Sequence, residues 1–131
     1  MVIFDGDKRV FKLDTDNTSY VMGITEEGYL GNIYYGKKVD STDLMYVMRT
    51  GEHPFTPAQV PGEKISFMDR FPTEYPYAGT GDFRSSCINI MDNAGQEGLE
   101  LKYKSHNIYA EKRKIDGMPS ARGDGSMSLD I

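Results

Sequence analysis

Leu99-Glu100-Leu101-Lys102-Tyr103-Lys104 alternates apolar and charged side chains without a break, and a period of two places the apolar residues on one face of a sheet and the charges on the other. No stretch longer than a few residues keeps the 3.6-residue apolar period of a helix. The expected fold class is therefore all-β and mainly antiparallel, with one buried and one wet face to each sheet, as in a β-sandwich.

Upstream of that run, residues 10–13 and 19–24 are short β-prone stretches separated by Asp14-Thr15-Asp16-Asn17. Those side chains bond readily to nearby backbone and favour turns, so a hairpin is predicted. Glu26-Glu27-Gly28 reverses the chain into a third strand over residues 29–35, which ends at Gly36-Lys37-Lys38. A further strand is expected to start at Asp82-Phe83-Arg84, with Ser85, Cys87 and Asn89 on one of its faces. Downstream, residues 107–110 and 126–131 supply two more. Between the third strand and Asp82, residues 40–81 carry five of the six prolines together with Tyr46, Phe55, Phe67, Phe71, Tyr75 and Tyr77. So long a segment in a small domain is disordered or functional. Its aromatics favour the second reading and predict that it packs on the domain or on a partner.

At 131 residues the chain has the length of one domain, and a fold of this size buries roughly two-thirds of its unfolded surface. No apolar run approaches the length of a membrane span. The net charge of -5 gives no basic stripe for nucleic acid. The first residues lack the basic and apolar regions of a secretory signal, which predicts a cytoplasmic protein. Cys87 is the only cysteine, so no intrachain disulfide forms, and it reads as a structural thiol rather than a nucleophile.

Local motifs do not assemble a catalytic centre. The stretch from Asp14 begins like a calcium loop, but Ser19 stands at the glycine position and Thr25 where a bidentate glutamate is needed, so it reads as a turn. Gly79-Thr80-Gly81 precedes a strand, whereas phosphate loops open a helix. His53 and His106 lack partners at metal-ligand spacing, and no metal or cofactor is expected. Asp82 and Arg84, two apart on a strand, share a face and are expected to pair as a clip at the strand's start, with Phe83 turned to the core.

Glu74-Tyr75-Pro76 followed by Gly79-Thr80-Gly81-Asp82-Phe83-Arg84 resembles a signature near the start of family 36 α-galactosidases. Tyr34-Tyr35-Gly36-Lys37-Lys38, Tyr103-Lys104-Ser105-His106-Asn107-Ile108 and Gly117-Met118-Pro119-Ser120 are similar to that family's segments in the same order. The resemblance covers nearly the whole chain. It implies the first part of an N-terminal β-supersandwich, truncated at residue 131, ahead of a catalytic (β/α)₈ barrel and a small C-terminal β domain that are absent here. The implied parent hydrolyses terminal α-galactosyl residues of sugars such as melibiose and raffinose with retention, one carboxylate attacking and the other protonating the leaving oxygen. Neither catalytic aspartate lies in this chain, which alone should be inactive.

The resemblance also implies that loops of this domain reach the sugar site of a neighbouring subunit in a homo-oligomer. Glu52 and Phe55 are the substrate-side candidates, a carboxylate that accepts sugar hydroxyls and an aromatic that covers an apolar sugar face. His53 stands where the family has arginine and Ala58 where it has asparagine. Asp82, Arg84, Tyr75 and Tyr77 are expected at a domain interface. A sheet cut short leaves an open edge, so self-association is expected. A stand-alone carbohydrate-binding module and a purely structural oligomerisation domain remain open as alternatives.

Overall fold

The computed structural model describes residues 1–48, 50, 68–79, 84–119 and 125–131. Strands β1 (Val2–Asp5), β2 (Val10–Asp14), β3 (Thr18–Ile24) and β4 (Leu30–Lys37) form an antiparallel meander in chain order. A second antiparallel pair joins β5 (Asn107–Tyr109) to β6 (Ser128–Asp130). The all-β, mainly antiparallel class read from the sequence is the class observed, and no α-helix occurs among the described residues.

The turn chemistry explains the first hairpin. Thr15 Oγ1 accepts the Thr18 N–H at 3.0 Å, and the Thr15 N–H donates to the Thr18 carbonyl at 2.9 Å. The register then sets Asp14 opposite Ser19 and Phe11 opposite Met22. Successive residues of a strand point to opposite faces. On β3 this sends Met22 and Ile24 into a cluster with Phe11, flanked by Phe4, Tyr103 and Leu129. Gly23 lies on the other face, beneath Met45 and Met48, in the layer that contains Tyr29, Met68, Phe71 and Tyr77. Residues from the long loop thus cover one face of the meander, as its aromatic content predicts.

The structure corrects three expectations. β1 is an additional strand, read in the sequence only as the start of the chain; its Phe4 stands opposite Phe11 with ring centroids 4.5 Å apart. Residues 84–90 form no strand and carry only the isolated Tyr77–Ile88 bridge, because the alternating Ser85, Cys87 and Asn89 have no apolar surface to drive pairing. Cys87 is exposed rather than packed on a sheet face. Residues 99–104 form no ladder and keep the expected alternation only in part: Leu99 and Tyr103 pack inward, but Leu101 is exposed together with Glu100, Lys102 and Lys104.

One buried feature was not legible. Lys12 and Asp14, with side chains 5% and 3% exposed, pair at 2.9 Å. Ser19 donates to the same carboxylate at 2.6 Å and accepts the Val39 N–H at 3.1 Å. Burial opposes the charge on Asp14, but the bonds from Ser19 and Lys12 outweigh it and hold the carboxyl below its usual range.

Candidate functional site

The segment singled out by its Glu-Tyr-Pro motif lies along the outer edge of β4. Pairing starts where Gly31 bridges Thr73 in antiparallel fashion. The Asn32 N–H donates to the Pro72 carbonyl at 2.8 Å, and the Glu74 N–H to the Leu30 carbonyl at 3.0 Å. Proline is tolerated here because this short bridging stretch asks it only to accept. The result covers an edge that would otherwise present unpaired backbone.

Phe71 anchors the entry to this segment. Its ring is fully buried against Gly31, where a Cβ would approach the ring to 2.4 Å, so only glycine leaves room. Arg84 closes the far side, its guanidinium donating to the Phe71 carbonyl at 2.5 Å and to the Met68 carbonyl at 3.5 Å. Arg84 therefore ties the two ends of the motif together through backbone acceptors. The Asp82 half of the expected pair lies outside the described residues, as do Glu52, Phe55 and His53.

Within the motif the side chains divide by burial. Glu74 accepts a hydrogen bond from the Tyr20 hydroxyl, and burial together with that carboxylate pushes the Tyr20 phenol up to about 12. Tyr77 is 2% exposed and donates to the Leu101 carbonyl at 3.4 Å, whereas Tyr75 is 53% exposed. The Cys87 N–H bonds to the Pro76 carbonyl at 2.7 Å, and the Leu99 N–H to the Ala78 carbonyl at 3.1 Å. Gly79, with φ of +131°, sits so close to the Leu99 carbonyl that a Cβ would approach it to 2.7 Å.

Tyr75 and Tyr77 meet in a groove of about 440 Å³, completed by Leu30, Thr73, residues 101–105 and Ile131. Of its lining residues, Lys102 is held from outside the groove: its Nζ lies 5.3 Å above the Tyr29 ring and 3.0 Å from Glu100, to which the Tyr29 hydroxyl donates at 2.5 Å. The bonds from Tyr29 and Lys102 hold the Glu100 carboxyl below its usual range. Burial and the Glu100 bond push the Tyr29 phenol up. The groove thus joins aromatic walls to a polar rim, a surface suited to packing another polypeptide or a ring-shaped ligand. Sequence reasoning expected the two tyrosines at an interface but missed Lys102 in the groove and the Tyr29 and Glu100 side chains that hold it, a contact between residues 71 or more apart.

His106 accepts or donates at Nδ1 with the Tyr103 hydroxyl, 2.8 Å away, and packs against Phe4 and Phe11 with ring centroids 4.3 and 4.9 Å apart. It is a hydrogen-bonded histidine of the core margin. Among the described residues, no group of three or more His, Cys, Asp or Glu side chains is placed to hold a metal. No helix among them is long and apolar enough to cross a membrane.

Comparison with known proteins agrees with this geometry. Residues 28–131 match the family model described as the glycosyl hydrolase family 36 N-terminal domain. The bifunctional alpha-galactosidase/sucrose kinase AgaSK of Mediterraneibacter gnavus is 34% identical over 125 residues, which is 94% of this chain and 13% of that protein. The crystal structure of alpha-galactosidase AgaB from Geobacillus stearothermophilus superposes with a TM-score of 0.84 at 30% identity, over 98% of this chain and 18% of that one. A variant of AgaA from the same organism, in complex with raffinose, gives 0.78 at 29% identity, over 92% of this chain and 17% of that one. The chain therefore spans less than a fifth of the length of each.

Proposed function

Since the chain belongs to the glycosyl hydrolase family 36 N-terminal domain family, we propose that it forms, over residues 1–131, one non-catalytic β domain of an α-galactosidase and contributes to that enzyme's assembly. The observation that carries this reading is the agreement in fold over 98% of this chain with an α-galactosidase of which it covers 18%. The catalytic pair of the parent then lies in a barrel outside these residues, and its reaction is retaining hydrolysis of terminal α-galactosides. Raffinose bound to the AgaA variant supports that substrate class. A cytoplasmic setting and a homo-oligomeric parent belong to the same proposal.

Within the domain, the clip from Phe71 to Arg84 has the properties of an interface support. It fixes the β4 edge, buries Tyr77 and presents Tyr75 beside the groove. Glu52 and Phe55 are proposed to lie at the rim of a neighbouring subunit's sugar site, with Glu52 accepting hydroxyls and Phe55 covering a sugar face. Two assays test the reading. The purified chain should release no galactose from melibiose or raffinose, and the polypeptide carrying this domain should do so. Turnover by the 131-residue chain alone, or none by the longer polypeptide, overturns the proposal. Calorimetry with raffinose separates it from a stand-alone carbohydrate-binding module, which would bind the sugar without the barrel.

A further inference from the structure

Among the described residues, five take a positive φ, and four of them are glycines: Gly28, Gly79, Gly95 and Gly117. The fifth is Arg9, in the left-handed region with φ of 56°. A side chain there crowds the following carbonyl, a cost that glycine avoids. Arg9 closes the turn of residues 6–9 between β1 and β2, and its carbonyl accepts the Ile24 N–H at 2.9 Å. Glycine would supply the same carbonyl in the same conformation without strain. The position therefore keeps the arginine for its side chain, and residues held against their preference in this way gather at sites of contact.

The rest of the turn is fixed without that side chain. Asp5 accepts the Lys8 N–H at 3.0 Å and the Thr42 hydroxyl at 2.8 Å, and Lys8 Nζ lies 3.8 Å from the same carboxylate. Lys8 thus has its counter-charge. Arg9 has none: it is half-buried, and among the described residues its guanidinium meets no acceptor. A guanidinium presented on a fixed turn matches a carboxylate, which it can take through two parallel hydrogen bonds. We infer that Arg9 binds a carboxylate of the same polypeptide outside residues 1–131 and so docks the β1–β2 turn against it. This rests on the reading above that the chain is one domain of a longer enzyme; it covers 18% of AgaB. The strain is present in every folded molecule, so the matching contact is one that every molecule makes. A segment of the same polypeptide, at high effective concentration, makes it without assembly. A free phosphate fits less well, because one unengaged cation stands beside the carboxylates of Asp5 and Asp7.

The test uses the longer polypeptide that carries this domain. Carbodiimide joins an ammonium only to a carboxylate in contact with it, so treating the Arg9→Lys variant and mapping its peptides identifies the partner. The expected product links the substituted lysine to a carboxylate outside residues 1–131, with the polypeptide still running as a single chain under denaturing conditions. A link to a second polypeptide, a link only within residues 1–131, or none at that lysine overturns the assignment. Thermal unfolding gives an independent readout. Arg9→Gly alone should lower Tm by about 2–4 °C, because the mapped carboxylate loses its donor. Once that carboxylate is changed to its amide, the same Arg9→Gly should raise Tm by about 2–4 °C, because only the strain is then removed. An Arg9→Gly change that raises Tm with the carboxylate intact, or that lowers it equally in both backgrounds, overturns the inference. Galactose release from raffinose by the unmodified polypeptide is read separately, so failure of this contact and failure of the enzyme reading are told apart.

Discussion

Replacing Gly31 with alanine would put a methyl carbon 2.4 Å from Phe71 Cζ and 2.9 Å from Cε1. Nonbonded carbons rest about 3.5–4.0 Å apart, so the ring would have to withdraw by about 1 Å. It has little freedom to do so. The ring is fully buried, and the Phe71 carbonyl is held by Arg84 at 2.5 Å and by the Thr73 N–H at 2.8 Å. Overpacking of this kind costs about 1–3 kcal/mol. The lower entropy of an unfolded chain carrying alanine offsets about 0.4–1 kcal/mol of that. A net loss of about 1–2 kcal/mol remains, a fall of about 4–8 °C in Tm for a domain of this size. Urea and thermal unfolding followed by circular dichroism would measure it. Pairing Gly31→Ala with Phe71→Leu makes the test specific, since the smaller side chain vacates the contested space and the two changes should couple by at least about 0.5 kcal/mol. A neutral or stabilising Gly31→Ala, or a strictly additive double variant, would refute the proposed packing of Phe71 on β4. Gly23→Ala is the control. Its Cβ would meet Met45 Sδ, Ile33 Cδ1 and Met48 Cε, the flexible ends of side chains, and should cost less.

Asp14→Asn leaves the Lys12 ammonium buried without a counter-charge and should destabilise by about 3 kcal/mol or more at pH 7, read from urea unfolding. Because Asp14 and Glu100 titrate lower in the folded chain, their stabilisation is full above the unfolded carboxylate range and is lost as pH falls from that range through the lower folded-state values. Stability measured between neutral pH and about pH 3 should therefore decline on acidification, and Glu100→Gln should flatten the decline. Tyr20 titrates higher in the folded chain, so its contribution is full below about pH 10 and is lost toward the folded value of about 12; Tyr20→Phe should weaken that alkaline loss. Arg84→Ala removes donors from the Phe71 and Met68 carbonyls and should cost about 1–2 kcal/mol, with Arg84→Lys restoring only part, because one ammonium does not reproduce the guanidinium fork.

The hairpin of β2 and β3 was legible because Asp14-Thr15-Asp16-Asn17 carries its own turn chemistry, and Glu26-Glu27-Gly28 marks the next reversal in the same way. The two late strands were found near their predicted places as β5 and β6. Residues 99–104 show what alternation conveys and what it leaves out. It assigned Leu99, Leu101 and Tyr103 to the inner face, which holds for the first and last but not for the exposed Leu101, and a period of two carries no information about hydrogen-bonding partners, which come from Ala78 and Gly28 far away in the chain. The burial of Lys12 was not legible, because nothing local announces that it would pair under cover with Asp14, whose carboxylate is also held by Ser19. Arg84 was expected to pair with Asp82 two residues off, whereas its described contacts are carbonyls 13 and 16 residues away. Its role as a clip was therefore visible in outline while its partners were not. Tyr75 and Tyr77 were singled out by resemblance, and the difference between them, one exposed and one buried, emerged only from packing.

The intact mass of the native polypeptide that carries this sequence, measured together with its activity on raffinose, tests the central claim most directly. An α-galactosidase several times heavier than 14.7 kDa, releasing galactose, is the predicted result. A native polypeptide of 14.7 kDa that assembles or binds sugar without hydrolysing it would contradict the account.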